Sequence, residues 1–149
     1  MSDDPAVTIH ELAAELSRSA EALLGSRTAM SFARYRVLRA LRQEGTSTQH
    51  ALAVRLGIGD AAVSRMLPGL IEQGWCAVTD DPGHGRRRRV ELTAAGRTVE
   101  ADGAALLTEA FHGAAADAGI DVGPFLAAAA ALTERIRISL PASADRSTS

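Results

Sequence analysis

The residues best placed to do chemistry are four consecutive arginines, Arg86, Arg87, Arg88 and Arg89, in the stretch DDPGHGRRRRVELT. A guanidinium presents a planar fork of N–H donors that matches phosphate or carboxylate oxygens, so the block points to recognition of an anion rather than to bond-making. The four cannot form one patch. Side chains alternate along a strand, which puts Arg86 and Arg88 on one face and Arg87 and Arg89 on the other with Glu91. If Val90 and Leu92 anchor the strand, Arg86 is nearest the turn and reaches furthest out, Arg87 and Arg88 follow, and Arg89 is placed to pair with an acid.

Other chemistries find little support. His10, His50, His84 and His112 lie far apart without the HxxxH or HExxH spacing of metal ligands, and no nucleophile is matched to a base. GHG at 83–85 lacks the preceding strand and following helix of a phosphate-cradling loop. His84 could tune anion binding near neutral pH, against the simpler reading of an exposed turn residue. Cys76 is the single cysteine, which excludes an intramolecular disulfide or a CxxC pair. It falls beside Trp75, where a small apolar residue would pack; redox sensing is the alternative. No catalytic residue, metal or cofactor is expected. The acidic start MSDDPAV is unlike a secretion signal, and FLAAAAAL at 125–132 is far shorter than the ~20 residues of a membrane span, so a soluble cytoplasmic protein is expected.

All 16 basic residues are arginines against 18 acids, a net charge of −2, so an anion-binding case rests on where the charges lie. Residues 31–42 hold four arginines and no acid, and 55–97 hold seven against five acids. The first 30 residues carry −3 and those from 98 onward −4. The middle is the basic part, and the ends look like a separate working part.

The elements that must hold these groups follow from periodicity. Thr8 and Glu11 have capping-box spacing, and Ile9, Leu12, Ala13, Leu16, Ala20, Leu23 and Leu24 form one apolar helical face ending near Gly25. A second helix starts near Ser31, buries Phe32, Val37, Leu38 and Leu41, and stops at EGTS. Thr48 caps a short helix burying Ala51, Leu52 and Leu56, which Gly57 breaks. Gly59 or Asp60 caps the next, which buries Val63, Leu67, Leu70 and Ile71 and stops at Gly74. Pro68 removes one hydrogen bond from that helix and predicts a kink. WCAV and RVELT then form a two-stranded hairpin around a long tip. An alanine-rich helix runs from Ala94 to about Gly119, weakened by Gly103 and Gly113. A last one opens near Asp121 with Pro124 in its first turn, and repeats Phe125, Ala128, Leu132, Ile136 and Ser139 or Leu140 along one side. The tail from 141 reads as disordered.

In this order and spacing, YRVLRAL (35–41), TQHALAVRLGIGDAAVSRML (48–67), IEQGW (71–75) and DPGHGRRRRVELTAAGR (81–97) resemble the MarR family of winged helix-turn-helix transcriptional regulators. The resemblance is dense from Tyr35 to Arg97 and architectural beyond. It implies a mainly α fold with a small β-hairpin wing: an N-terminal tail and dimerisation helix over 1–30, a DNA-binding region over 31–97, and dimerisation helices over 98–140. It further implies a homodimer on a pseudo-palindromic double-stranded DNA operator, most often as a repressor released by a small apolar or phenolic effector whose binding residues are unknown. Carried onto this sequence, Thr48 and Gln49 meet the DNA backbone, and Ala61, Ala62, Ser64 and Arg65 face the major groove. Arg86 enters a minor groove, and Arg87 and Arg88 meet phosphate.

Arg65 is the candidate base reader, because its fork can pair with guanine O6 and N7; the alternative is an ion pair with Glu72 or Asp60. Three features depart from the family pattern: Asp60 near phosphate, which reads better as a helix cap, Pro68 with Gly69 inside the recognition helix, and His84 with Gly85 at the wing tip. They motivate a second reading, a winged-helix interaction module with weak or lost operator binding.

Overall fold

The computed structural model describes residues 4–81, 83, 85 and 87–139. They form α1 (Pro5–Arg27), α2 (Phe32–Glu44), β1 (Thr46–Thr48), α3 (Gln49–Leu56), α4 (Asp60–Glu72), β2 (Cys76–Asp80), β3 (Arg88–Leu92), α5 (Ala94–Asp117) and α6 (Val122–Ser139). The chain divides into two compact units, Met1–Leu107 and Thr108–Ser149.

The core of the first unit lies where α2, α3 and α4 meet the sheet. Val37, Leu38 and Leu41 of α2, Leu52 of α3, Val63 and Leu70 of α4, and Cys76, Val90 and Leu92 of the strands are buried together. Caps set the helices in place: the Ser31 hydroxyl accepts from Arg34 N–H at 3.2 Å and the Thr48 hydroxyl from Ala51 N–H at 3.2 Å. Gly57 takes a left-handed φ of 66° that ends α3, a conformation a side chain would resist. Ala51 was expected inside, but it is exposed and Ala53 is buried in its place. In so short a helix the face is decided by what it packs on, and period alone does not choose between neighbours.

Two expectations about element ends are corrected. The first helix starts at Asp4–Pro5 rather than at Thr8: the Asp4 carboxylate accepts from Ala6 N–H at 2.8 Å, Pro5 occupies the first helical position, and the helix passes Gly25 to Arg27. Thr8 and Glu11 merely share the spacing of a capping box inside it. The wing sheet has three strands, not two, in the order β1-β3-β2, with Ser47 opposite Val90 and Val78 opposite Val90 on its other side. β1 is three polar residues without an apolar alternation, so its strand state comes from pairing with β3.

The opening half of α5 closes this unit. Gly103 is a site of close approach, since a Cβ there would stand 3.0 Å from the Tyr35 ring and 3.1 Å from Met30 Cε. One turn earlier, Glu100 is 1% exposed, with Oε1 2.9 Å from Arg39 Nη1 and Oε2 4.0 Å from Arg42 Nε. This carboxylate therefore ties α5 to α2 inside the unit. α1 contributes Ala20 and Leu24 to the buried set, whereas Val7, Ile9, Leu12 and Leu16 are 41–52% exposed. Half of the face read as apolar is thus open in the single chain.

In the second unit the end of α5 turns at Gly119 (φ 68°), where Ile120 N–H reaches the Ala115 carbonyl at 2.8 Å. Asp121 then caps α6 through Gly123 N–H at 3.2 Å. Phe111 and Phe125 approach with ring centroids 6.3 Å apart. Leu126, Leu132, Ile136 and Ile138 of α6 stand 49–64% exposed. Leu140 and the tail expected over 141–149 lie outside the described residues. Among the described residues no single helix is long and apolar enough to cross a membrane.

Candidate nucleic-acid interface

α4 separates its residues by side. Val63, Leu67 and Leu70 face the core at spacings of four and three, which leaves Ala61, Ser64, Arg65 and Pro68 as an exposed stripe on the other side. Ala62 lies between the two and is half-buried. Among the described residues Arg65 has no ion pair, so neither Glu72 nor Asp60 holds it, and its fork is free to engage a ligand. α4 is helical on both sides of Pro68. The ring lies on the exposed side, and the hydrogen bond it removes belongs to the Ser64 carbonyl, one turn back.

The turn before α4 is built differently from the expected cap. Gly59 is the N-cap and no side chain caps there. Asp60 instead turns its carboxylate to His50 of α3, both oxygens lying 3.2 Å from His50 Nδ1. Gln49 Nε2 donates to the Asp60 carbonyl at 3.3 Å. Gln49 therefore braces α3 against the head of α4, and Thr48 both ends β1 and caps α3. The sequence does not announce the His50–Asp60 contact; the one available signal is a histidine in the first turn of one short helix and an acid at the head of the next.

In the wing, β3 begins at Arg88, so the part of the expected alternation that lies within the strand sets Arg88 on the face of Val90 and Leu92 and Arg89 on the face of Glu91. Arg89 Nε lies 3.4 Å from Asp81 Oδ2, and its Nη1 donates to Thr46 Oγ1 at 3.1 Å. Arg89 is thus a strut that fastens the hairpin to β1. Arg87 and Arg88 are exposed and, among the described residues, hold no acid. The backbone continues the ladder past the strand, with Asp81 N–H donating to the Arg87 carbonyl at 2.8 Å. Arg86 and His84 lie outside the described residues.

Three candidate residues from three elements meet at one groove. A cavity of about 190 Å³ between α4 and the sheet is bordered by Gln49 of α3, by Ser64, Leu67 and Pro68 of α4, and by Val78, Arg88 and Val90 of the strands. Gln49, Ser64 and Arg88 consequently share one surface, with Arg65 next along the same stripe. Such a surface, with free guanidinium groups beside small side chains on a projecting helix, suits the edge of a duplex, where small residues let the helix approach and arginines meet phosphate or guanine.

Among the described residues, chemistry of another kind has no comparable assembly. Cys76 is 3% exposed and faces the core, and burial pushes its thiol up from the usual 9.0 to about 11. It is a packing residue, with little thiolate available for reaction. Among the described residues no group of three His, Cys, Asp or Glu side chains could hold a metal ion.

Comparison with known proteins bears on the fold that carries this surface. Residues 30–87 match the model of the MarR family. The fold is similar to the transcriptional regulator BldR from Sulfolobus solfataricus, with 21% identity, TM-score 0.79, and coverage of 88% of this chain and 93% of that one. It is also similar to a mutant MarR from E. coli in complex with operator DNA (22% identity, TM-score 0.71, 91% and 93% covered). A third likeness is NadR in complex with 4-hydroxyphenylacetate (19% identity, TM-score 0.74, 93% and 97% covered). Among curated proteins none matches the sequence.

Proposed function

We propose that this chain, which carries the winged helix-turn-helix of the MarR family and the fold of its transcriptional regulators, is a cytoplasmic repressor that grips a pseudo-palindromic operator as a homodimer. The observation that carries the reading is the exposed stripe Ala61–Ser64–Arg65 on α4, with Arg65 and the wing arginines Arg87 and Arg88 exposed and holding no acid among the described residues. Ser64 and Arg65 enter the major groove, Arg87 and Arg88 take phosphates, and Arg86 reaches the minor groove. Thr48 and Gln49 set α3 against the backbone.

The homodimer is supported by the apolar residues left open on α1 and, in the other unit, on α6. Two copies related by a two-fold axis present two recognition helices to half-sites about one helical turn apart, roughly 34 Å. A small phenolic or apolar effector that prefers one arrangement of the pair releases the operator through differential affinity alone. The bound phenolic acid of NadR motivates the choice of effector class.

The test is an anisotropy titration against duplex DNA from the region upstream of the chain's own coding sequence, with a scrambled duplex as competitor. The regulator binds the upstream duplex preferentially, with a steep loss of affinity as salt rises. Weak binding with a shallow salt slope, alongside intact dimerisation, would instead establish the interaction module, the reading that the acid at the head of α4 favours.

A further inference from the structure

The head of the recognition helix carries an acid where the proposed ligand is a polyanion. Asp60 is held by His50, whose side chain is 76% exposed while that of Asp60 is 57% exposed. We propose that His50 is a further DNA-contact residue and that its pairing with Asp60 makes operator affinity depend on the charge of the imidazole; the inference rests on the DNA-binding reading above.

The argument is one of charge at a fixed place. His50 stands in the first turn of α3, next to Gln49, which borders the groove. When the imidazole is protonated it donates to the Asp60 carboxylate through Nδ1 and offers its other N–H outward, so the pair carries no net charge and presents a donor to phosphate. When the imidazole is neutral the pair carries −1 beside the DNA backbone. The other charges nearby do not change with pH in this range: Arg88 of β3, which borders the groove with Gln49, stays a cation throughout, and the rest are paired. Arg36 of α2 donates to the Leu56 carbonyl at the far end of α3 (2.8 Å), Glu44 pairs with Arg55 (3.1 Å), Arg89 of β3 pairs with Asp81, and β1 holds no charged residue. From α4 it is Asp60 that faces His50.

Histidine is the side chain that changes charge between about pH 5 and 8. Each phosphate neutralised is worth up to about eightfold in affinity at roughly 0.1 M salt, from the slope of about 0.9 per contact. The wild-type protein, whose proposed dimer brings two His50 residues to the operator, is therefore expected to bind the labelled upstream duplex about tenfold to sixtyfold more tightly at pH 6 than at pH 8. His50→Gln should bind at both values as the wild type does at pH 8, and Asp60→Asn should bind at pH 8 about as tightly as the wild type does at pH 6. Both substitutions are on the surface, and urea midpoints confirm that each variant is folded. A full pH profile retained in His50→Gln, where His84 remains, would assign the effect elsewhere and overturn the inference while leaving DNA binding intact. No binding by the wild type at either pH would overturn the DNA reading itself, and this inference with it.

Discussion

Replacing Glu100 by alanine tests whether a single carboxylate fastens α5 to α2. The side chain of Glu100 is 2% exposed, whereas those of Arg39 and Arg42 are 48% and 43% exposed. Removing one partner of a fully buried ion pair typically costs about 3–5 kcal/mol, because the other charge is left stranded. Here the stranded groups are arginines that can turn back to water. The loss is then nearer to that of one charge-assisted hydrogen bond, about 1.5–3 kcal/mol, with a contribution from the space left beneath. The Arg42 contact at 4.0 Å adds little to this. Glu100→Gln keeps an acceptor of the same shape for Arg39 and should lose about half as much. Urea denaturation at one fixed protein concentration, which holds any association constant, gives both values. A change below about 0.5 kcal/mol for Glu100→Ala, the usual range of surface substitutions, would refute the reasoning, since it would mean that burial of the carboxylate costs as much as the arginines return.

Further outcomes are expected elsewhere in the chain. Gly96→Ala should destabilise by at least about 2 kcal/mol in the same assay, because the new Cβ would stand 1.9 Å from the Trp75 carbonyl oxygen, a backbone atom that cannot swing aside. Arg65→Ala should weaken operator binding by about 1–3 kcal/mol in the anisotropy titration and relax base preference, while Arg89→Ala should act mainly on stability, because its guanidinium is already taken by Asp81 and Thr46. Leu12→Glu, on the open face of α1, should shift the proposed dimer to monomer in sedimentation. Finally, the Cys76 thiol is pushed up to about 11 in the folded protein. Well below pH 9 it is protonated in both states, and as the pH rises through 9 the unfolded chain ionises first. Stability should therefore fall between about pH 9 and 11, by as much as about 2 kcal/mol, and Cys76→Ala should flatten that limb. Burial raises Tyr35 as well, which acts in the same direction.

What could be read without the structure was whatever depends on near neighbours in the chain. The caps at Ser31 and Thr48, the left-handed Gly57 and the apolar period of α4 are local signals, and each element they announce is present. The start of α1 was misread because Thr8–Glu11 and Asp4–Pro5 are both acceptable openings, and the earlier one is extended by a proline already set at helical φ. β1 was not legible, since Thr46, Ser47 and Thr48 become a strand only against Glu91, Val90 and Arg89. Contacts across elements were legible only where geometry left few choices. Alternation sent Arg89 away from the Arg88 face and towards an acid, which it meets in Asp81. Nothing local announced that Glu100 would meet Arg39, 61 residues away, nor that Asp60 would face His50 instead of capping its own helix.

That distinction alters how the basic middle of the chain is to be understood. Of the ten described arginines in residues 31–97, five already have partners. Arg36 holds the Leu56 carbonyl, Arg39 and Arg42 hold Glu100, Arg55 holds Glu44, and Arg89 holds Asp81. Arg34 lies along α4 at Gly69. Arg65, Arg87 and Arg88 hold no acid among the described residues, and they sit on the recognition helix and the wing. A surface of this kind relies on few charges, placed by a framework that other arginines hold rigid. It follows that the salt slope of operator binding should be modest for a chain with so many arginines, at a few phosphate contacts per protomer, and should fall by about one for each of Arg87→Ala and Arg88→Ala. A slope that responds equally to Arg42→Ala would mean that the middle of the chain acts as diffuse charge, and that the division between structural and DNA-facing arginines is wrong.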